Sequence, residues 1–229
     1  MSNEEIVKKS DSEKEWVKKE ICEFIKNSLD SKYGSNKYYV DTEVALPYGC
    51  DLSNLSLNYT NKTKGQIREE KVLKLQDNSS IIINKWNVDL FIGEYDENNK
   101  EIIKPRIIIE AKYNTVNLHE PIVYNYNALL HKRLYPGLRY GFILGNSQYK
   151  NIDIPKQLIN FGDNFDFIFV FDDENEEKLK LDLKNKKDKL LGVIIKNIKY
   201  AKDIEELLTN KKDRTKYWYI SNELHSNND

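Results

Sequence analysis

The sequence predicts an α/β fold, and three observations carry that expectation. Two apolar runs, residues 86–93 and 105–112, have the length and the Ile, Val and Phe content of buried strands. Segments on either side of them repeat apolar residues at the three- and four-residue spacing of amphipathic helices. The 229 residues suffice for a substantial core, so the whole succession fits one domain spanning residues 1–229.

The first helix opens where Ser10 or Ser12 can cap it, with Glu13 or Glu15 three residues on completing a capping box. Trp16, Val17, Ile21, Phe24 and Ile25 then recur at helical spacing. At about 100° per residue, Glu20 falls inside that apolar arc as a misplaced charge. Residues 38–46 read as a strand closed by Pro47, Tyr48 and Gly49. Leu55, Leu57 and Tyr59 alternate with Ser56, Asn58 and Thr60, which predicts a polar β-insertion over residues 50–80. The two apolar runs are joined by the polar break Asp96, Glu97, Asn98, Asn99, Lys100, so a hairpin is the simplest connection. A second helix begins near Pro121, a residue favoured at the first helical position. Ile122, Val123, Tyr126, Leu129, Leu130 and Leu134 predict its buried stripe, with Tyr124, His131 and Lys132 facing outward. Pro136 and Gly137 end it, and residues 138–145 and 165–171 read as further strands. After the acidic run 172–177, residues 178–216 carry thirteen Lys and Arg against six Asp and Glu, a segregated basic stretch that reads equally as a phosphate-contacting surface and as a solvated amphipathic helix pair. This last third is a C-terminal α/β elaboration.

Three charges interrupt the two strand-like runs: Asp89 in the first, Glu110 and Lys112 in the second. Asp, Glu and Lys are almost never fully buried unless paired or bound to a metal. Side chains alternate along a strand, so Glu110 and Lys112 share a face and Ala111 points to the other. With the turn centred near Asn99, Asp89 lies roughly opposite Glu110, and directly paired residues have Cβ atoms only ~5 Å apart. Two carboxylates that close repel unless a cation lies between them, and an oxygen-rich site suits Mg²⁺, with Mn²⁺ as a substitute. An acid two residues before a Lys also occurs at Asp30/Lys32, Glu69/Lys71, Glu176/Lys178 and Asp182/Lys184, but only Glu110/Lys112 follows an apolar run of strand type.

Asp89, Glu110, Ala111 and Lys112 together resemble the motif of the PD-(D/E)xK nuclease superfamily, with Val88 standing where the motif's name has Pro. The resemblance covers about residues 12–146, leaving about 147–229 as the elaboration. It implies a restriction-endonuclease-like core, a central mixed β-sheet flanked by helices. It further implies a Mg²⁺-dependent, type II restriction enzyme-like endonuclease that cuts double-stranded DNA at specific sites, leaving 5′-phosphate and 3′-hydroxyl ends. Asp89, Glu110 and the Ala111 carbonyl oxygen would hold the metal, and Lys112 would orient the attacking water. A first-helix Glu supplies an additional carboxylate in some members, and Glu20 is the candidate here. A palindromic target would make a homodimer the economical assembly.

Base and phosphate contacts are expected from two regions. Asn58, Asn61, Lys62, Lys64, Gln66 and Arg68 in the insertion have base-reading chemistry, since Asn and Gln pair with adenine and Arg and Lys with guanine or phosphate. Lys184, Lys186, Lys187 and Lys189 form the densest basic cluster, and Lys211, Lys212, Arg214 and Lys216 a second, near Tyr200, Tyr217, Trp218 and Tyr219. Competing expectations are a junction resolvase, repair or mobile-element nuclease of the same superfamily, or a non-catalytic DNA-binding module.

Other classes fit poorly. A charged fraction of 32% and a mean hydropathy of -0.71 leave no apolar run able to span a bilayer. The start of the chain is acidic and polar, unlike a secretory signal. Cys22 and Cys50 are too few for a disulfide framework or a zinc site, which fits a reducing cytoplasm. Only His119, His131 and His225 are available to a His-dependent metal site, and no Gly-rich phosphate loop or nucleophile elbow points to an organic cofactor or a covalent mechanism.

Overall fold

The computed structural model describes residues 13–51, 55–59, 71–75, 82–113, 116–117, 119–145, 156–171 and 179–209. The first helix, α1, is described from residue 13, passes through a π-helical stretch at Val17–Cys22 and continues as α-helix over Glu23–Tyr33. Strands β1 (Tyr38–Asp51), β4 (Ile82–Tyr95), β5 (Ile103–Tyr113), β6 (Arg139–Gly145) and β7 (Phe167–Val170) form one sheet in the order β1-β4-β5-β6-β7. Helices α2 (His119–Leu134), α3 (Lys156–Phe161) and α4 (Leu179–Thr209) complete the layers. The sheet is mixed: β1, β4 and β5 pair antiparallel, whereas β5, β6 and β7 pair parallel. Both parallel links need a crossover, and α2 and α3 supply them. The insertion forms a separate antiparallel pair, β2 (Leu55–Tyr59) with β3 (Lys71–Leu75), as the alternation predicted. Ser10, Ser12, the acidic run 172–177 and the second basic cluster with its aromatic neighbours at 217–219 lie outside the described residues.

β5 is central and covered on both faces, which explains why Ile107, Ile108 and Ile109 form an unbroken apolar run, all fully buried. On one face, Leu90, Ile92, Ile107, Ile109 and Ile143 pack against Ile21 and Ile25 of α1 and Ile194 of α4. On the other, Phe91, Ile108, Leu138 and Tyr140 pack against Ala128 of α2. Trp16 of α1 lies across Gly145 at the end of β6, where a Cβ would overlap the indole ring. Among the described residues, no helix is long and apolar enough to cross a membrane.

Three sequence expectations are corrected. β1 does not close at Pro47–Gly49; its register slips there and pairing with β4 resumes to Asp51. Over its described residues the basic stretch is one continuous helix, α4, rather than a helix pair, and Leu190, Ile194, Ile198 and Ala201 seat it on the sheet. Helix α2 is turned inside out relative to its apolar stripe. Ile122, Val123, Tyr126 and Leu134 are exposed, while His131 and Asn127 are buried and Tyr124 and Lys132 partly so. The inward face is occupied by groups that the sheet can partner: His131 stacks on Tyr140 with ring centroids 5.9 Å apart, and Lys132 donates to the Asn164 carbonyl oxygen at 2.6 Å.

At the hairpin end of the sheet, Pro105 pairs with Gly93 and Ile107 with Ile92, so Arg106 is an extra residue in β5. Its buried guanidinium donates to Glu94 Oε2 through Nε at 2.9 Å and Nη2 at 2.8 Å, and reaches Glu205 Oε2 of α4 through Nη1 at 2.6 Å. Lys37 and Lys202 contact the other Glu94 oxygen at 3.0 and 2.6 Å. This network ties the C-terminal end of α4 to β4 and β5.

Candidate active site

The β4–β5 ladder brings the site together. It pairs Ile92 with Ile107 and Leu90 with Ile109, and one residue further the same register, advanced by the Arg106 bulge, sets Asp89 beside Glu110, where the hairpin spacing alone placed the two only roughly opposite. Asp89 Oδ2 accepts the backbone N–H of Ala111 at 2.8 Å. Glu110 is 1% exposed, and its Oε1 accepts the Tyr140 hydroxyl at 2.7 Å. The two carboxyl groups also lie within hydrogen-bonding reach of each other.

Electrostatics follow from that crowding. Burial raises the Asp89 carboxyl above its ordinary range, outweighing the Ala111 N–H bond and the Lys112 charge that pull it down. Glu110 is held well above its ordinary range, first by burial and then by the charge of Asp89. Ionising both carboxyls at once is therefore disfavoured unless a cation lies beside them.

Lys112 shares the Glu110 face. Its Nζ lies 3.0 Å from Glu13 Oε1 and 3.5 Å from Glu120 Oε1, and 5.8 Å from the centre of the Tyr124 ring. Burial opposes its charge, but Tyr124, Glu13 and Glu120 together keep its pKa above the ordinary lysine range. The ammonium is thus fixed as a cation beside the carboxyl pair. The other Glu13 oxygen accepts the Tyr113 backbone N–H at 3.0 Å. A cleft of about 240 Å³ lies alongside, lined by Glu13, Lys14, Val17, Thr42, Glu43 and Asp89. Asp89 thus opens to the cleft, and Glu110 sits behind it.

Across β1 from Asp89 stands Glu43, between the pairs Thr42 with Leu90 and Val44 with Val88. Its φ of 54° is the only positive value at a non-glycine residue among those described. A left-handed conformation costs such a residue about 1–2 kcal/mol, and strain of this kind clusters at functional sites. Its carboxylate pairs with Lys14 at 2.5 Å.

Glu20 does not join the site. It projects outward, half exposed, and pairs with Lys187 of α4 at 2.7 Å. The expectation assumed uniform α-helical phase, whereas Glu20 lies within the π-helical stretch, whose wider turn shifts the phase of every residue on it. The α1 carboxylate that does reach the cluster is Glu13. Nothing in the residue pattern prefers it, because Glu13 and Glu15 suit a capping box equally.

The expected nucleic-acid contacts are partly placed. Asn58 lies on β2, paired with Val72, while Asn61, Lys62, Lys64, Gln66 and Arg68 lie outside the described residues. Lys184, Lys186, Lys187 and Lys189 all lie on α4; Lys184 and Lys189 are exposed, and Lys187 is held by Glu20 and stands over the Phe24 ring.

Among the described residues, no three His, Cys, Asp or Glu side chains gather closely enough to hold a metal ion unaided. The donor chemistry of the pair nevertheless suits Mg²⁺, which binds through one or two carboxylates and completes its shell with waters and substrate phosphate oxygens. Two adjacent carboxyls of raised proton affinity are also what a divalent cation would neutralise. Compared with protein-family models the chain matches none, and a comparison with curated proteins finds no match.

Proposed function

We propose that this protein is a metal-dependent endonuclease acting on double-stranded DNA, with a PD-(D/E)xK-type site and the behaviour of a type II restriction enzyme. The observation that supports the reading most is the juxtaposition of Asp89 and Glu110 at the β4–β5 ladder, with Lys112 held as a cation on the same face. Asp89, Glu110 and the Ala111 carbonyl oxygen would hold Mg²⁺ or Mn²⁺. When bound, such an ion supplies Lewis-acid polarisation of the scissile phosphate and a water of lowered pKa.

The chain's own groups do the rest. Lys112 orients the water and offsets charge developing on the phosphoryl oxygens. The water oxygen bonds to phosphorus in line with the departing 3′ oxygen, the P–O3′ bond breaks, and a proton ends on that oxygen. The products are a 5′-phosphate and a 3′-hydroxyl. Glu13 and Glu120 hold the Lys112 ammonium near the pair rather than in solvent. The exposed Lys184 and Lys189 on α4 are offered as phosphate-binding groups, and a homodimer would set two such sites on the two strands of a palindrome.

The test is incubation of the purified protein with Mg²⁺ and long duplex DNA, alongside Asp89→Ala, Glu110→Ala and Lys112→Ala. Discrete fragments from the wild type and loss of cleavage in all three variants, with DNA affinity retained, are expected. No cleavage with either Mg²⁺ or Mn²⁺ on any duplex would remove the reading, and preference for four-way junctions would turn it to a resolvase. Neutralising Lys184 and Lys189 should lower the salt slope of binding by about 0.9 for each phosphate that the protein no longer neutralises.

A further inference from the structure

We infer that Tyr140 is the positioning residue of this site, fixing the carboxyl of Glu110 in the orientation that receives a divalent cation; the inference rests on the nuclease reading and deepens it.

The geometry begins with register. Tyr140 pairs with Ile108 across the parallel β5–β6 ladder, and Glu110 pairs with Phe142. Tyr140 is therefore offset from Glu110 by two residues, about 6.6 Å along the strand. That is the reach of a tyrosine side chain, and the hydroxyl arrives 2.7 Å from Glu110 Oε1. A shorter side chain at 140 would not reach, and a phenylalanine would arrive with nothing to donate.

The donor is itself held. Tyr140 is fully buried, with its ring stacked between His131 at 5.9 Å and Phe165 at 6.1 Å. Its backbone N–H donates to Asp166 Oδ2 at 2.6 Å, and its carbonyl oxygen accepts the Asp166 N–H at 2.7 Å. Asp166 is anchored in turn by Lys132 at 2.8 Å and Arg139 at 2.9 Å. A continuous chain of contacts therefore runs from the α2 and β7 side of the sheet to one carboxylate oxygen. Partners that orient a ligating carboxylate in this way commonly contribute 10- to 100-fold to metal affinity or activity.

Burial alone would not need this arrangement. The ring would fill the same space as phenylalanine, and it stacks with His131 and Phe165, the latter in turn with Phe142, without help from the hydroxyl. The hydroxyl donates to the very carboxylate proposed to ligate the metal.

The test is Tyr140→Phe, which keeps the ring and removes the hydroxyl. Two readouts are taken: calorimetric Mn²⁺ binding in the absence of DNA, and the Mg²⁺ concentration giving half-maximal cleavage. Both should weaken about 10- to 100-fold, with excess metal restoring much of kcat, KM for DNA unchanged, and the melting temperature nearly that of the wild type. Phe165→Leu serves as the control, since it disturbs the stack and leaves the hydroxyl. Unchanged Mn²⁺ affinity and Mg²⁺ dependence in Tyr140→Phe, in a wild type that cleaves, would overturn the assignment and leave the nuclease reading standing. Equal weakening by Phe165→Leu would also overturn it, because packing would then be the cause. A wild type that neither binds Mn²⁺ nor cleaves would overturn both.

Discussion

At one end of β4 and β5, Glu94 is buried beside Arg106; at the other, the buried Glu110 stands beside the part-buried Asp89. Burial pushes the Glu94 carboxyl up, but bonds from Lys202 and Lys37 and the Arg106 charge outweigh it, and the group is held below its ordinary range. Glu205 is lowered in the same way, chiefly by Arg106 once the opposing effect of burial is overcome. Asp89 and Glu110 are raised. The same two strands thus carry one carboxylate cluster whose charges are matched and another whose charges are not. The matched, hydrogen-bonded network fastens α4 to the sheet. An unmatched pair of which one member, Asp89, lines a cleft is kept despite its cost to the fold, which is the expected mark of a working site.

The variant that should separate the two most sharply is Glu110→Gln. It retains the shape, can still accept from Tyr140, and can donate to Asp89 as the protonated acid does. Cleavage should fall on the order of 10³-fold or more, while stability at pH 7–8 rises, because the amide removes the cost of protonating or ionising a buried carboxyl beside Asp89. A denaturant melt showing lower stability for this variant would mean that the pair is structurally matched after all.

Arg106→Ala should act in the opposite sense. Removing one member of a buried pair leaves Glu94 without its guanidinium and costs about 3–5 kcal/mol. At about 2–4 °C per kcal/mol for a chain of this size, calorimetry would register the drop readily. An unchanged melting temperature would show that Lys37 and Lys202 suffice.

The clusters also predict opposite pH dependences. Glu94 is lower in the folded protein than in the unfolded chain, so its contribution is fully present above the ordinary range near about 4.3 and is lost as pH falls through the folded value. Glu110 is higher in the folded protein, so its contribution is present below that range and is lost as pH rises through the folded value. Unfolding free energies of wild type and Glu110→Gln should therefore converge in acid and diverge toward neutral pH. Curves that stay parallel would contradict the assignment.

The smallest effect belongs to Glu20. Its pair with Lys187 is half exposed on the Glu20 side, and such contacts contribute about 0–1 kcal/mol. Glu20→Gln should leave both the melting temperature and cleavage nearly unchanged; a large drop in cleavage would return Glu20 to the site.

How much of this was legible from the residues depends on which periodicity was in play. Strand alternation has a period of two, so a turn near Asn99 was enough to bring Asp89 close to Glu110, but their direct pairing comes from the bulge at Arg106, without which the register would set Asp89 opposite Ile109. Helical phase carried less. The π-helical stretch in α1 moved Glu20 out of the arc that an ideal helix assigns it. In α2 the apolar stripe pointed away from the sheet, because the inward positions are taken by Tyr124 over Lys112 and by His131 against Tyr140. Hydrophobicity cannot foresee an inner face chosen for such partners. Arg106 was hidden for a related reason: its burial depends on the β5 bulge, and on Glu205 far downstream in α4, a separation that local patterns do not span.

Glu13 holds Lys112 across 99 residues of chain, and what sets the height of α1 above the sheet is the missing side chain at Gly145, where the Trp16 indole comes to rest. Trp16 follows Glu13 by less than one helical turn. An alanine at 145 would act as a shim, lifting the indole and with it the carboxylate that steadies the ammonium. The tolerance of the site is in that sense set from behind, by the thickness of one methyl group on the opposite face of the sheet.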